Sequence, residues 1–281
     1  MQIIDTKPII EREKERLKQE VSSLKIRPRF TVISVGNHKP SEKYIANKIR
    51  HCEDIGIEVK HINLSRSTTE IQLLNRIIVE QMSCHSMILQ LPLDCENEIN
   101  IRRMLDAIEP CRDVDALSTR NSGLLFTGNP LLIPATPLGC MKFLEEINYD
   151  VTGKNVLILG RSLLVGKPLS QLLTNANATV TVAHSHSNVA KDLTEGNYDV
   201  VVSCVGKPLE FKDISAKVII DCGINFLDGR MVGDIDIDSC IYQYATIPPN
   251  RDKNVRGGLG SLTCLSLLEN VIKSYKLQGG C

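Results

Sequence analysis

The sequence predicts an α/β fold made of two α/β domains flanking a cleft. Three observations carry this. At 281 residues the chain is long enough for two ordinary cores. Short apolar runs alternate with amphipathic stretches along much of its length, as a layered parallel sheet requires. Most tellingly, Val151–Asn188 compresses strand, glycine turn, helix and strand into a single βαβ unit.

Within that unit, Val156–Leu159 is apolar without alternation and suits a parallel strand buried on both faces. Gly160 and Gly166 bracket Arg161, Ser162, two leucines and Val165. From Gly166 to Thr174 the leucines at 169, 172 and 173 share a helical face, with Pro168 tolerated in the first turn. A second strand is expected at Thr179–Val182. The helix start then aims unpaired N–H groups over the turn, where an anion belongs. The glycines stand as G-x5-G rather than G-x-G-x-x-G, so context carries the dinucleotide reading: the turn follows a strand and opens a helix. An NAD site commonly has Asp or Glu after the second strand, about twenty residues past the first glycine. Here the chain reads Ala183-His184-Ser185-His186-Ser187. With Arg161 in the turn and no carboxylate, a 2′-phosphate is better accommodated than a bare diol, which favours NADP over NAD. The plain alternative makes Arg161 a solvated cation and the histidines a strand cap.

Composition narrows the class. Lys plus Arg and Asp plus Glu both number 33, so no basic field recommends nucleic acid. No apolar run reaches the ~20 residues of a membrane span, and Met1–Asp5 lacks the features of a secretory leader. A cytoplasmic protein is expected. The ten cysteines show no C-x-x-C pair and no grouping with histidine, so buried thiols are expected and no metal site.

In chain order, Ile9–Leu24 reads as an amphipathic surface helix, Phe30–Val35 as a strand broken by Gly36–Pro40, and Ser41 as the cap of a helix through Tyr44, Lys48 and Cys52. Tyr44 and Lys48 are one turn apart, so a phenol and an ammonium share a face. On spacing alone a half-buried Tyr beside a surface Lys explains them. Their place after a strand end points to a ligand. Glu58–Leu64 is expected as a strand, Ile71–Glu80 as a helix and Ser86–Leu91 as a strand whose Gln90 amide needs partners. After a helix at Ile101–Ile108, Asp113 and Asp115 present two carboxylates that a solvated loop explains equally well. Leu131–Pro137 reads as a connection and Leu138–Glu146 as a linking helix. Strands at Val200–Cys204 and Val218–Cys222 end in Val205-Gly206-Lys207-Pro208 and Gly223-Ile224-Asn225, where the nicotinamide half of a cofactor would lie. Gly233-Asp234 follows. Gly257–Gly260 is a glycine-rich turn, and Leu262–Tyr275 closes the chain as a helix.

Taken together, Pro40-Ser41 with Tyr44-x3-Lys48, Gln90-Leu91-Pro92-Leu93, Asp113-Val114-Asp115, Thr136-Pro137-x-Gly139, Gly160-Arg161-Ser162 to Pro168, Val205–Pro208, Asp221-x-Gly223-Ile224-Asn225 and Gly257-Gly258-x-Gly260 resemble the methylenetetrahydrofolate dehydrogenase/cyclohydrolase family over nearly the whole chain. The resemblance implies oxidation of 5,10-methylenetetrahydrofolate to the methenyl form with NADP (NAD in some members), then hydrolysis to 10-formyltetrahydrofolate, a step of one-carbon metabolism. It implies Lys48 as general acid/base, Gln90 tuning and positioning it, Tyr44 stacking on the aminobenzoyl ring and Asp115 binding the pterin, with Gly257 and Gly258 beside the folate. It assigns the cofactor to Gly160, Arg161, Ser162, Val165, Gly166, His184, Ser185, Val205, Gly206, Gly223 and Ile224, with no metal. Tetrahydrofolate derivatives are the implied partners, with no nucleic acid or membrane, and the assembly a homodimer. The implied domains are a folate-binding domain at 1–119, on which a C-terminal helix at 262–281 packs, and a Rossmann-like NAD(P)-binding domain at 120–261.

Three departures stand out. The family's usual Asp-Gly is Asp115-Ala116, its Pro-Cys-Thr-Pro is Pro134-Ala135-Thr136-Pro137, and its Pro-Gly-Gly-Val-Gly-Pro is Arg256-Gly257-Gly258-Leu259-Gly260-Ser261, preceded by the charged insertion Asn250–Asn254. Two alternatives follow: a relative with one activity or another small substrate, as in shikimate-dehydrogenase-like two-domain proteins, or a non-catalytic folate or dinucleotide binder. Retention of Tyr44, Lys48, Gln90 and Asp115 argues against the latter.

Overall fold

The computed structural model describes residues 1–279, except for the side chains at 39–41, 43, 190 and 191. In chain order the elements are β1 (Gln2–Ile3), α1 (Lys7–Ser22), β2 (Arg29–Val35), α2 (Lys39–Asp54), β3 (Glu58–Leu64), α3 (Glu70–Gln81), β4 (Ser86–Leu89), α4 (Ile101–Asp106), α5 (Thr119–Phe126), α6 (Ala135–Glu146), β5 (Asn155–Leu159), α7 (Gly166–Asn175), β6 (Thr179–Ala183), α8 (Ala190–Thr194), β7 (Val200–Ser203), β8 (Val218–Asp221), β9 (Asn225–Leu227), β10 (Arg230–Val232), β11 (Tyr244–Thr246) and α9 (Leu259–Leu277). Two compact units result: residues 12–135 with 267 onward, and residues 1–11 with 136–266.

These limits differ from the expected break at 119/120, for local reasons. Gln2 and Ile3 pair in parallel with Tyr244 and Ala245, which draws the N-terminus into the other sheet. Thr119 bonds back to Asp106 through its N–H (2.6 Å) and its hydroxyl (2.8 Å), which ties α5 to α4. α5 itself was not expected. Its signal was Ser118, whose side chain caps it by accepting from Asn121 N.

The three-stranded unit has the parallel order β3-β2-β4. β2 is central and its residues from Phe30 onward are buried, which is why it reads as a continuous apolar run. Arg112–Val114 runs beside β4, with Met87 opposite Asp113. β4 stops at Leu89, two residues earlier than expected, ahead of Pro92, which has no N–H for the ladder. α2 starts at Lys39, ahead of the expected Ser41 cap, so Ser41 sits within the first turn; its side chain lies outside the described ones.

The six-stranded unit is a wholly parallel sheet, β1-β11-β8-β7-β5-β6, whose inner strands Val156–Leu159, Val200–Ser203 and Val218–Asp221 are buried throughout. α6 begins three residues earlier than expected, with Pro137 accommodated in its first turn. β9 and β10 form an unanticipated hairpin on Asp228-Gly229, both at positive φ (50° and 75°). α9 starts at Leu259. Its later half belongs with the three-stranded unit, where Asn270 donates to the carbonyls of Val114 (2.9 Å) and Ile133 (2.7 Å), and Ser274 lies 2.6 Å from those of His85 and Cys111. Gly280 and Cys281, the end of the expected 262–281 helix, lie outside the described residues. Among the described residues no helix is long and apolar enough to cross a membrane.

Candidate active site

The carboxyl ends of the parallel strands in the three-stranded unit gather the expected catalytic side chains. Lys48, on α2, extends its ammonium to Gln90 Oε1 at 3.1 Å, and Asp115 Oδ2 lies 3.9 Å from the same nitrogen. Topology explains this convergence. α2 follows β2, Gln90 follows β4, and the Arg112–Val114 run beside β4 delivers Asp115 to the same edge. Gln90 is held at both ends: its backbone N–H donates to Ile33 O (2.8 Å), and its side-chain amide donates to Leu91 O (2.8 Å). That second bond fixes which end of the amide faces Lys48. Tyr44 lies one turn before Lys48 on α2, half exposed, with burial raising its phenol above the ordinary value.

The two carboxylates of 113–115 divide their work. Asp113 is buried and accepts from Ser118 N (2.8 Å) and the Asn121 side chain (3.1 Å). Burial raises its carboxyl above the usual range, although those donors pull the other way. Asp113 therefore shapes the turn, while half-buried Asp115 faces Lys48. At Ala116, where a glycine would be unstrained, the backbone sits in the left-handed region at φ 54°.

In the other unit the G-x5-G turn is tightly folded. A Cβ at Gly166 would stand 2.1 Å from Gly160 O, so only glycine fits. Val165, at the α7 N-cap, offers no capping side chain; the Lys167 N–H donates to Ser162 O (3.1 Å) and Pro168 has none, so the Gly166 N–H is the one that faces the turn. Ser162 uses its hydroxyl oxygen to accept from Val165 N at 3.1 Å and so shapes the turn. Leu159 and Ala183 are register partners in β5 and β6, so Arg161 and Ser185 emerge just past adjacent strand ends, both exposed. His184 is engaged within its own loop: its N–H donates to Ser187 Oγ (3.0 Å), and its Nδ1 accepts from His186 N (3.2 Å). Val205 and Gly206 follow β7, and Gly223 and Ile224 follow β8. The glycine cradle, the uncapped helix start and the exposed guanidinium suit a phosphorylated dinucleotide.

Residues 4–115 match the model of the tetrahydrofolate dehydrogenase/cyclohydrolase catalytic domain, and residues 134–279 match that of the tetrahydrofolate dehydrogenase/cyclohydrolase NAD(P)-binding domain. The chain belongs to the tetrahydrofolate dehydrogenase/cyclohydrolase family. It is 37% identical to the bifunctional protein FolD of Hydrogenobaculum over 98% of this chain and 99% of that one. Among solved structures it is similar to the bifunctional FolD of Campylobacter jejuni (TM-score 0.91, 32% identity, 99% of each chain). The Trypanosoma brucei FolD complexed with NADP cofactor and inhibitor is also similar (TM-score 0.88, 29% identity, 99% of this chain and 98% of that one).

Against the usual family loop, the 250–261 segment has lost both prolines, and the structure supplies another restraint that sequence reasoning missed. Asp5 Oδ1 accepts from Arg256 N (3.2 Å), Gly257 N (2.7 Å) and Lys7 N (3.2 Å), while Oδ2 pairs with Arg256 Nε at 3.0 Å. Thr6 adds a bond from its hydroxyl to Gly258 O at 2.8 Å. The charged insertion closes on itself as a pair of Asn250–Val255 backbone bonds of 2.8 Å, and Lys253 reaches Asp238. The signal for Asp5 was only a carboxylate just before a helix, too common to single out. Burial works to raise the Asp5 carboxyl, but its N–H donors and Arg256 outweigh this and hold it below the ordinary value. A folded value below the unfolded one means that its stabilisation is present above about pH 4 and is lost as pH falls. Asp5→Ala is expected to cost ~1–2 kcal/mol at neutral pH, with the gap to wild type closing under acid. Thermal melting of both proteins between neutral pH and about pH 3 checks this; a gap independent of pH contradicts it.

Proposed function

We propose that the chain oxidises 5,10-methylenetetrahydrofolate to the methenyl form with NADP and hydrolyses that product to 10-formyltetrahydrofolate. The observation that carries the reading is the Lys48–Gln90–Asp115 cluster, in a chain similar over its full length to bifunctional FolD proteins. NADP, when bound, would supply the hydride acceptor. Arg161 and Ser185 would hold its 2′-phosphate, Gly160, Ser162, Val165 and Gly166 would form the cradle and His184 would shape its rim. Val205, Gly206, Gly223 and Ile224 would hold the nicotinamide half.

For hydrolysis, Lys48 in its neutral amine form takes a proton from water as the water oxygen adds to the methenyl carbon and returns it to the ring nitrogen as the carbon–nitrogen bond breaks, while the remaining hydroxyl proton leaves to solvent as the formyl C=O forms. The substrate's cationic character makes the carbon electrophilic at the outset. Gln90 keeps the amine on station, since its own amide is anchored to Leu91 O. Asp115, an acceptor-only carboxylate, suits the donor-rich edge of a pterin. Tyr44 offers an aromatic face to the aminobenzoyl ring, whereas Gly257 and Gly258, expected beside the folate, are buried and their space is taken by the chain's own backbone at Lys7 and Ile247. A spectrophotometric assay with methylenetetrahydrofolate and each nicotinamide cofactor tests the reading; no folate-dependent reduction and no methenyl hydrolysis would refute it.

A homodimer and a cytoplasmic location complete the proposal. The described cysteines are free thiols, which fits a reducing compartment. β3 is an edge strand, and beside it α3 exposes Ile71 (68%), Ile78 (49%), Val79 (58%) and Met82 (86%), spaced as one helical stripe. Lys60 of β3 pairs at 2.6 Å with Glu80, which is buried on the α3 face opposite the stripe. A second copy related by a two-fold axis covers the stripe. Met82→Glu is expected to convert the dimer to monomer in light-scattering chromatography; a variant that stays dimeric moves the interface elsewhere.

A further inference from the structure

Gly233-Asp234 takes no part in the chemistry described so far, yet Asp234 is wholly buried and fully engaged. Its Oδ2 accepts from Ser203 Oγ (2.9 Å), Val205 N (2.9 Å) and Gly206 N (3.2 Å). Its Oδ1 accepts from Lys207 N (3.0 Å) and the Asn225 side chain (2.9 Å). One carboxylate thus ties together the loops that follow β7 and β8. We infer that Asp234 is a positioning residue for the nicotinamide half of NADP, holding the Val205–Lys207 backbone and Asn225 in place before the cofactor arrives. The inference rests on the proposed use of NADP.

Three features separate this from ordinary core packing. All five groups on Asp234 are donors, so the site requires a group that only accepts; an amide in its place would turn an N–H₂ against two or three of them. The space is closed by design: a Cβ at Gly223 would stand 2.2 Å from Asp234 Oδ1. Asp234 is also braced by a second buried carboxylate, Asp221, which accepts from the N–H groups of Asp234 (3.0 Å), Ile235 (3.0 Å) and Gly223 (2.9 Å). Burial pushes Asp221 up to about 7 despite those donors, with Asp234 adding to the rise. Two acids packed this closely would be replaced readily by apolar side chains if volume alone mattered. Their bonds run instead to the loops at adjacent carboxyl strand ends, where ligands bind in open parallel sheets.

The test separates the two halves of the cofactor. Titration calorimetry on the full-length protein compares NADP with adenosine 2′,5′-bisphosphate, which lacks the nicotinamide half. For Asp234→Asn, the NADP dissociation constant is expected to rise about tenfold or more, the loss of roughly one charge-assisted bond. Bisphosphate binding should stay within about twofold, because Arg161, Ser185 and the α7 start are untouched. Ser203→Ala, which removes one donor and leaves the carboxylate, is expected to give a smaller shift in the same sense and serves if the first variant does not fold. Equal loss of both ligands, or unchanged NADP affinity in a folded variant, overturns the inference. A wild-type protein that binds neither ligand refutes the use of NADP itself.

Discussion

Lys48→Met is expected to lower methenyltetrahydrofolate hydrolysis by about 10²–10⁴-fold, the range for loss of a general acid/base. The ammonium stands 3.1 Å from Gln90 Oε1 and 3.9 Å from Asp115 Oδ2. Methionine keeps most of the aliphatic stem and removes the group proposed to take and return the proton. The structural cost is small. Gln90 Oε1 loses a donor at a half-buried site, a cost of roughly 1 kcal/mol, so melting should stay near wild type. Single-turnover hydrolysis of methenyltetrahydrofolate reads the effect directly. Hydrolysis that persists at the wild-type rate in a folded variant removes Lys48 from the chemistry and leaves Gln90 and Asp115 as binding groups only.

Arg161→Ala is expected to remove roughly ten- to hundredfold of the preference for NADP over NAD, the worth of one or two charge-assisted contacts at ~1.5–3 kcal/mol. Arg161 is exposed and emerges beside Ser185 from adjacent strand ends, in a segment where no carboxylate competes for it. The guanidinium recognises charge before it recognises what carries the charge. An NAD enzyme with inorganic phosphate in the same place is the rival outcome. Measuring kcat/KM for both cofactors in phosphate-free buffer and then with added phosphate separates them. Phosphate stimulation of the NAD reaction, with little NADP turnover, would overturn the assignment.

Both predictions concern residues legible before any coordinates, and the reason is local. Tyr44 and Lys48 are linked by helical period, and Arg161 and Gly166 by a turn whose strand and helix are contiguous in sequence. Apolar runs such as Val156–Leu159 and Val200–Ser203 announce buried parallel strands because both of their faces are covered. Pairings between distant segments leave no such mark. β1, two residues long, exists only because β11 offers it an edge more than two hundred residues later. The Asp5 bonds to Arg256 and Gly257 depend on the same closure, and nothing near Asp5 distinguishes it from any carboxylate before a helix.

By itself the sequence determined the α/β class, the glycine turn between strand and helix and the family, since each rests on residues a few positions apart or on motifs in order. Tertiary structure alone decided which member of a pair does what. Asp113 and Asp115 look alike in the chain; burial with two donors commits the first to the turn, and the second, half-buried, is left facing Lys48. Gly233-Asp234 carries no assignment from sequence until the loops after β7 and β8 converge on it and five donors meet one carboxylate. A hydrogen bond is fixed by distance and direction in space, and sequence separation carries no information about either once the chain has folded back on itself.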